Sequence, residues 1–316
     1  MNYLYKILFF YLSMIKTICY YKINRPVLLT NLKQLSESFY YYYRRNKKIC
    51  KLDTKLHLQN SPYNIISNTN NKTYTIELDK EKYINQNEYI KNKKIISISP
   101  GGYKGVYMLG ICIYIKDNFN LDNYIFSGAS AGAWNSLMLC CKKDVNFFKT
   151  DIVDYSIKNS KTIFELEYLM KKKILEYYKT EDFELRKLFI GVTALNGYYP
   201  ETKIFSNFNN LEDAINCCIA SSHIPLVTGG FINKYNNMFT FDGGFSKTPY
   251  LNISENVLHI TPSMWNTTLP MKSNSIRDLN EFTTLFSKHK YNFTELYING
   301  YHDAKKNHDF LKERLE

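Results

Sequence analysis

The seven cysteines of this 316-residue chain contain no CxxC spacing, and four of them form two adjacent doublets, Cys140 with Cys141 and Cys217 with Cys218. Both doublets sit in apolar surroundings. This excludes a zinc finger or ribbon and a disulfide framework, and leaves buried small hydrophobes in a reducing compartment. A Walker lysine-serine pair is also missing, which argues against a nucleotide-binding P-loop. No internal repeat is visible, which excludes a solenoid. Acidic residues are nearly absent from the first fifty positions. Nine Lys and Arg stand there against Glu37 alone, so most of the formal net charge of +12 lies in the N-terminal arm. The arm's first apolar stretch lacks length: nine uncharged residues separate Lys6 from Lys16, where a spanning helix needs roughly 20. A signal-peptide core fits that length, but no small-residue cleavage site precedes Tyr20, Tyr21 and Lys22. An interfacial anchor fits better. The N-x-S/T sequons at Asn71, Asn252, Asn266 and Asn292 are what chance gives in so Asn-rich a chain, and they do not argue for secretion. The expected location is cytoplasmic or membrane-associated, with a signal peptide or N-terminal anchor left open.

What remains is ordinary for a globular protein: 45% hydrophobic and 22% charged residues, with 28 Tyr and 20 Phe supplying amphipathic aromatics. Three parts are expected. Residues 1–93 form a basic, aromatic extension with a helix over 28–50 and a loop over 60–72. Residues 94–262 form the main domain, and residues 263–316 a charged, helical tail. In the main domain, Ile95 to Ser99 is a β-branched run ended by Pro100-Gly101-Gly102, which reads as strand then tight turn. Lys104 to Phe119 keeps Val106, Leu109 and Ile113 at helical spacing. Tyr124 to Phe126 is a second strand and Ala131 to Cys141 a second helix. Two polar helical stretches follow over 144–186. Further strands are expected at Lys187–Thr193, Met238–Phe241 and Val257–Ile260, with a helix at Leu211–Ile219. Strand alternating with helix signals an α/β fold with a mainly parallel sheet covered by helices.

Three motifs carry chemistry. Gly128-Ala-Ser130-Ala-Gly132 is a GxSxG pentapeptide between a strand and a helix, the context in which that pattern has mechanical meaning. The glycines let the backbone reverse, the serine sits on a strained turn, and the helix from Ala131 aims free N–H groups at it. With 13 Gly and 21 Ser in the chain, the pentapeptide arises by chance in only roughly 0.03 of such sequences. A serine nucleophile needs a base and an oxyanion hole. Gly101-Gly102-Tyr-Lys104-Gly105 is a Gly-rich loop whose N–H groups can face a developing negative charge. Phe239-Thr-Phe-Asp242-Gly243-Gly244 puts a carboxylate at the end of a strand. Parallel strands bring their C-terminal ends to one edge, where Asp242 and Ser130 can meet. An Asp-Gly hairpin turn is the plainer reading of that motif alone.

In this order, the three motifs resemble the patatin-like phospholipases. Ala220-Ser-Ser-His-Ile-Pro225 is similar to the block that precedes the family's aspartate, and Phe189 to Ala194 to its middle strand. The resemblance covers residues 94–262 and implies a three-layer fold with the sheet between helices. It also implies lipid acyl hydrolysis through a Ser130-Asp242 dyad and an acyl-enzyme. Gly101, Gly102 and Ala131 would donate to the oxyanion, with Lys104, Gly105, Gly128, Gly132, Gly243 and Gly244 as supporting motif positions. No metal or cofactor is implied. The expected substrate is a phospholipid or triacylglycerol ester. Two departures stand out: Pro100 replaces a glycine and removes one N–H donor, and Lys247-Thr-Pro249 replaces Asn-x-Pro.

Two other readings stay open on the residues alone. One is a Ser-Asp-His triad using His259, His289, His302 or His308, with His259 read as a core residue and the last three as solvated. The other is a non-catalytic protein binding membrane or nucleic acid through Tyr40 to Tyr43, Arg44, Arg45, Lys47 and Lys48. Of these partners, a membrane surface met by the arm is expected and a specific nucleic acid is not. His223 reads as a packing residue near the site.

Overall fold

The computed structural model describes residues 88–196, 199–225, 227–230, 232–246, 248–252, 256–265 and 291–316. Residues 1–87 of the extension expected over 1–93, Lys247, and residues 266–290 with His289 lie outside the described residues.

The β-branched run after Lys94 forms strand β1, Lys94–Ile98, and strand β2 is Tyr124–Gly128. They pair in parallel, Lys94 opposite Tyr124 through Ile98 opposite Gly128. Between them lies helix α1, Gly105–Asn118. The remaining strands are β3 (Leu188–Asn196), β4 (Tyr199–Phe205), β5 (Asn233–Tyr235), β6 (Met238–Phe241) and β7 (Asn256–Ile260). Strands β7, β1, β2 and β3 form a parallel block, and β4, β5 and β6 extend it with antiparallel pairings. The chain thus folds as a mixed, mostly parallel sheet flanked by helices. The sequence reading missed β4 and β5. Strand β4 pairs with β3 alone, and β5 turns into β6 through Asn236 and Asn237, both in the left-handed region.

Helix α2 is Ala131–Leu139, α3 Ile163–Tyr177 and α4 Leu211–Ser221. Between α2 and α3 the chain runs through Val145–Phe147, a wide π-helical stretch Phe148–Asp154, and Tyr155–Asn159. Helix α5, Phe293–Lys306, and helix α6, His308–Leu315, close the chain. One face of the sheet, with Ile96, Ile98, Phe126, Leu188 and Ile190, packs on α1, α2 and α4 in the main core. The other face holds a smaller cluster of Ile90, Ile95, Ile125 and Phe189. Cys112, Cys140, Cys141, Cys217 and Cys218 are all free and buried, as their surroundings in the sequence indicated.

The residues read as a charged tail do more than follow the domain. Helix α5 packs against α1 so closely that a methyl on Gly110 would overlap the Tyr297 carbonyl, and one on Gly300 the Tyr107 carbonyl. Tyr107 donates to Asp303 Oδ2 at 2.6 Å, and Tyr114 meets the Tyr301 ring edge-on. Leu311 and Leu315 of α6 are buried in the same core. Helix α1 is therefore covered on both sides, by the sheet and by α5, which explains why ten of its fourteen residues are buried. Among the described residues, no helix is long and apolar enough to cross a membrane.

Candidate active site

The register of the sheet explains how Ser130 and Asp242 come together. Ile190 of β3 pairs with Gly128 of β2 and, on its other side, with Phe205 of β4. A few residues on, Ala194 pairs with Thr240 of β6 and with Glu201 of β4. Strands β2 and β6 therefore share one edge of β3, running toward each other end to end. Ser130 follows the end of β2 and Asp242 the end of β6, so their loops collide beside Gly191 and Val192. This corrects the expectation that the two residues meet because both end parallel strands: the strand carrying Asp242 is antiparallel to β3.

At the meeting point, Ser130 Oγ donates to Asp242 Oδ2 across 2.6 Å. Both side chains are buried, at 7% and 5% exposure. Asp242 Oδ1 accepts the Gly244 N–H at 2.6 Å, its own N–H donates to the His223 carbonyl, and its carbonyl accepts from Thr193 Oγ1. The carboxylate is thus fixed in the orientation that presents Oδ2 to the serine. Ser130 has φ 55° and ψ −127°, a backbone state that costs a non-glycine residue on the order of 1–3 kcal/mol. Its N–H donates to Ser221 Oγ at 2.8 Å, and Ser221 passes its own hydrogen to the Gly191 carbonyl. Gly128 and Gly132 make the reversal possible, since a methyl on Gly128 would strike the Gly132 carbonyl and one on Gly132 the Ile98 carbonyl.

Helices α3, α4 and α5 each begin with a capping side chain, from Thr162, Asn210 and Asn292. Helices α1 and α2 begin without one. Their first turns face each other across the site: a methyl on Gly105 would meet Ala131 Cβ at 2.6 Å, and Asn135 Nδ2 donates to the Gly105 carbonyl. Two helix N-termini, each carrying partial positive charge, thus flank Ser130. Gly102 lies in the left-handed region, and Lys104 is half-buried at the start of α1.

Ser130 and Asp242 open onto a cavity of about 110 Å³. Its walls are mostly apolar, from Leu109 of α1, Trp134 of α2, Phe148 of the π-helical stretch, Leu166 and Met170 of α3, and Phe293 of α5. A cavity with an apolar body and a few polar groups at one end suits a hydrocarbon chain joined to a polar reacting centre.

Residues 96–251 match the family model described as patatin-like phospholipase. The chain carries a patatin-like phospholipase domain. Its matched span runs from β1 through the loop after Asp242 and so contains all three motifs. Two solved structures are similar. VipD from Legionella pneumophila is 14% identical, with 52% of this chain and 48% of that one covered and a TM-score of 0.32. The ExoU-SpcU complex from the type III secretion system of Pseudomonas aeruginosa is 14% identical, covering 71% of this chain and 52% of that one, with a TM-score of 0.35. This chain spans about half the length of the solved chains it matches. Superpositions this loose leave the assignment to the family match and to the sheet itself. No curated protein matches the chain.

Within this patatin-like domain the structure gathers Gly101, Gly102, Gly105, Gly128, Ser130, Ala131, Gly132, Asp242, Gly243 and Gly244 around one point. Of the described histidines, His259, His302 and His308 lie elsewhere. His259 is exposed on β7 and hydrogen-bonds Ser97 and Ser99, which corrects its reading as a core residue. His302 is exposed, and His308 packs against Tyr114 and Phe119. The His223 carbonyl accepts the Asp242 N–H, and its ring lies tilted against Phe241. Three side chains escaped the sequence reading. Ser221 and Ser222 were seen only as part of a block. Glu167 was seen as one charge on a polar helix, yet it lies on the apolar stripe of Ile163, Leu166, Met170 and Ile174, and its pKa is raised well above the ordinary carboxylate range, mainly by burial. A charge set on an apolar stripe was the signal available.

Proposed function

We propose that this domain is a lipid acyl hydrolase in which Ser130 is the nucleophile and Asp242 its base. The observation that carries the reading is the 2.6 Å hydrogen bond between them at the end of an apolar cavity, inside the span that matches a phospholipase family. Asp242 takes the Ser130 proton as Oγ attacks the ester carbonyl. The N–H groups of Gly101, Gly102 and Ala131 face the oxygen that becomes negative, supported by the uncapped starts of α1 and α2. The Ser130 N–H is engaged by Ser221, which leaves Ala131 as the donor on that turn. Asp242 then returns its proton to the departing alcohol. A water molecule, deprotonated by the same carboxylate, attacks the acyl carbonyl, and Asp242 returns that proton to Ser130 Oγ as the fatty acid leaves. Each step uses one proton and one carboxylate, so a histidine is not needed.

The ester is a phospholipid or a triacylglycerol, and the protein works in the cytoplasm or at a membrane surface that its basic arm approaches. The test is fatty-acid release from phospholipid and from triacylglycerol vesicles. Ser130→Ala and Asp242→Asn should each lower turnover by about a thousandfold or more. Release that survives Ser130→Ala overturns the reading.

A further inference from the structure

Two ionisable side chains in the cavity have no part in that reaction, Glu167 and Tyr103, and burial raises the Tyr103 hydroxyl above its ordinary range. Glu167 is 5% exposed and lines the cavity between residues of its own helix and Trp134 and Ser222 opposite. The hydrogen bonds around it constrain its protonation. Trp134 Nε1 donates to Ser222 Oγ at 3.1 Å, and the Ser222 hydroxyl donates to the Cys218 carbonyl at 3.0 Å. Both groups also reach the Glu167 carboxyl in the sense that favours its anion, but each is shared with another acceptor. Two other titratable groups act on it: the Asp242 carboxyl, whose charge opposes a second one, and the Cys218 thiol of α4, which burial keeps protonated. The cavity residues of α2, of the Phe148–Asp154 stretch and of the loop holding Ile224 and Thr228 bring it no cation. Burial, the largest effect, and the Asp242 charge push its pKa well up, against the Ser222 and Trp134 hydrogen bonds, which pull it down.

We propose that Glu167 determines what the cavity admits: as a neutral acid it is part of the bed for a long acyl chain, and once ionised it bars one. An anion there keeps what hydration the cavity allows, and a hydrocarbon chain laid against it would remove that hydration without replacing it. A short acyl group that stops before Glu167 escapes the penalty. Long-chain selectivity therefore falls as pH rises through the Glu167 transition. The identity of the chain as an acyl group rests on the hydrolase reading; the effect of Glu167 on apolar ligands does not.

The experiment separates the two. Trp134 lies in the cavity and Trp265 is the only other tryptophan, so in full-length Trp265→Phe protein the fluorescence of Trp134 reports binding of dodecanol, an uncharged chain with no ester. Between pH 5 and pH 9.5, with folding checked by circular dichroism at each pH, dodecanol should weaken at least tenfold, on the order of the loss when one apolar group meets a charge. Binding by Glu167→Gln should be flat. If that variant fails to fold, Glu167→Met, apolar and of similar length, should be flat as well. In parallel, the ratio of kcat/KM for dodecanoyl over butanoyl ester should fall with pH in the parent and stay level in the variants. Binding by the parent that ignores pH, or the same pH limb in both variants, overturns the proposal. pH-dependent binding without Ser130-dependent hydrolysis supports Glu167's role and sinks the hydrolase reading; hydrolysis with pH-flat binding does the reverse.

Discussion

Ser130 holds its strained backbone because neighbours leave it no relaxed alternative. Ser221 is the least replaceable of these, since its one hydroxyl satisfies both the Ser130 N–H and the Gly191 carbonyl. Ser221→Ala leaves a buried donor and a buried acceptor without partners, which costs about 1–3 kcal/mol each at most sites. Urea denaturation should show a lower midpoint, and turnover should fall with it because the turn is free to relax. Glu167 makes a prediction of opposite sign. Its folded pKa lies above the ordinary value of 4.5, so between the two values the native state holds a proton that the unfolded chain releases. Stability therefore falls as pH rises from about 4.5 through the folded pKa. Glu167→Gln removes that loss, so thermal scans should find it gaining more over the parent at pH 8 than at pH 5. An equal gain at both would mean that the carboxyl does not titrate in the folded protein as described.

At the scale of elements, the site is a collision of two strand ends on one edge of β3. The residues of both loops were legible, because GxSxG and Asp-Gly-Gly are local patterns with local causes. Their manner of meeting was not legible. Strand direction depends on pairing between distant segments, and nothing in Met238 to Phe241 states whether it runs with or against Leu188 to Asn196. Strand β4 was missed for a related reason: Tyr-Pro-Glu-Thr-Lys-Ile-Phe lacks the apolar alternation that marks a half-buried strand, since it joins the sheet through β3 alone. The turn of β5 into β6 carries two asparagines, a hairpin signal that the chain's Asn-rich composition conceals. Helix α1, which begins at the site, depends on α5. Gly300→Val would force a branched side chain into the Tyr107 carbonyl and should cost about 1–3 kcal/mol or more. Displacing α1 moves Gly105 away from Ala131, so fatty-acid release should fall along with the melting temperature. Ile298→Ala, on the exposed side of the same helix, should change stability by within about 0.5 kcal/mol and is the control.

For the whole molecule, charge and fold are divided between parts of the chain. Most of the net +12 belongs to the first fifty residues, outside the described structure; under the proposed function that charge would bring the chain to anionic lipid. Vesicle sedimentation of the chain with and without residues 1–50 tests this division. The full chain should bind anionic vesicles more strongly, with the difference shrinking as salt rises; equal binding by both would rule the arm out. Composition alone could not place residues 293–315. A charged, amphipathic helix reads as a tail unless the small residues on its buried face are matched to small residues on a partner, here Gly300 with Gly110.

That match also bears on time. A polypeptide leaves the ribosome from its N-terminus, so the sheet, the nucleophile and the aspartate all emerge before Phe293, which walls the cavity, and Gly300, which seats α1. Until those residues arrive, the nascent chain holds Ser130 and Asp242 beside an unfinished cavity.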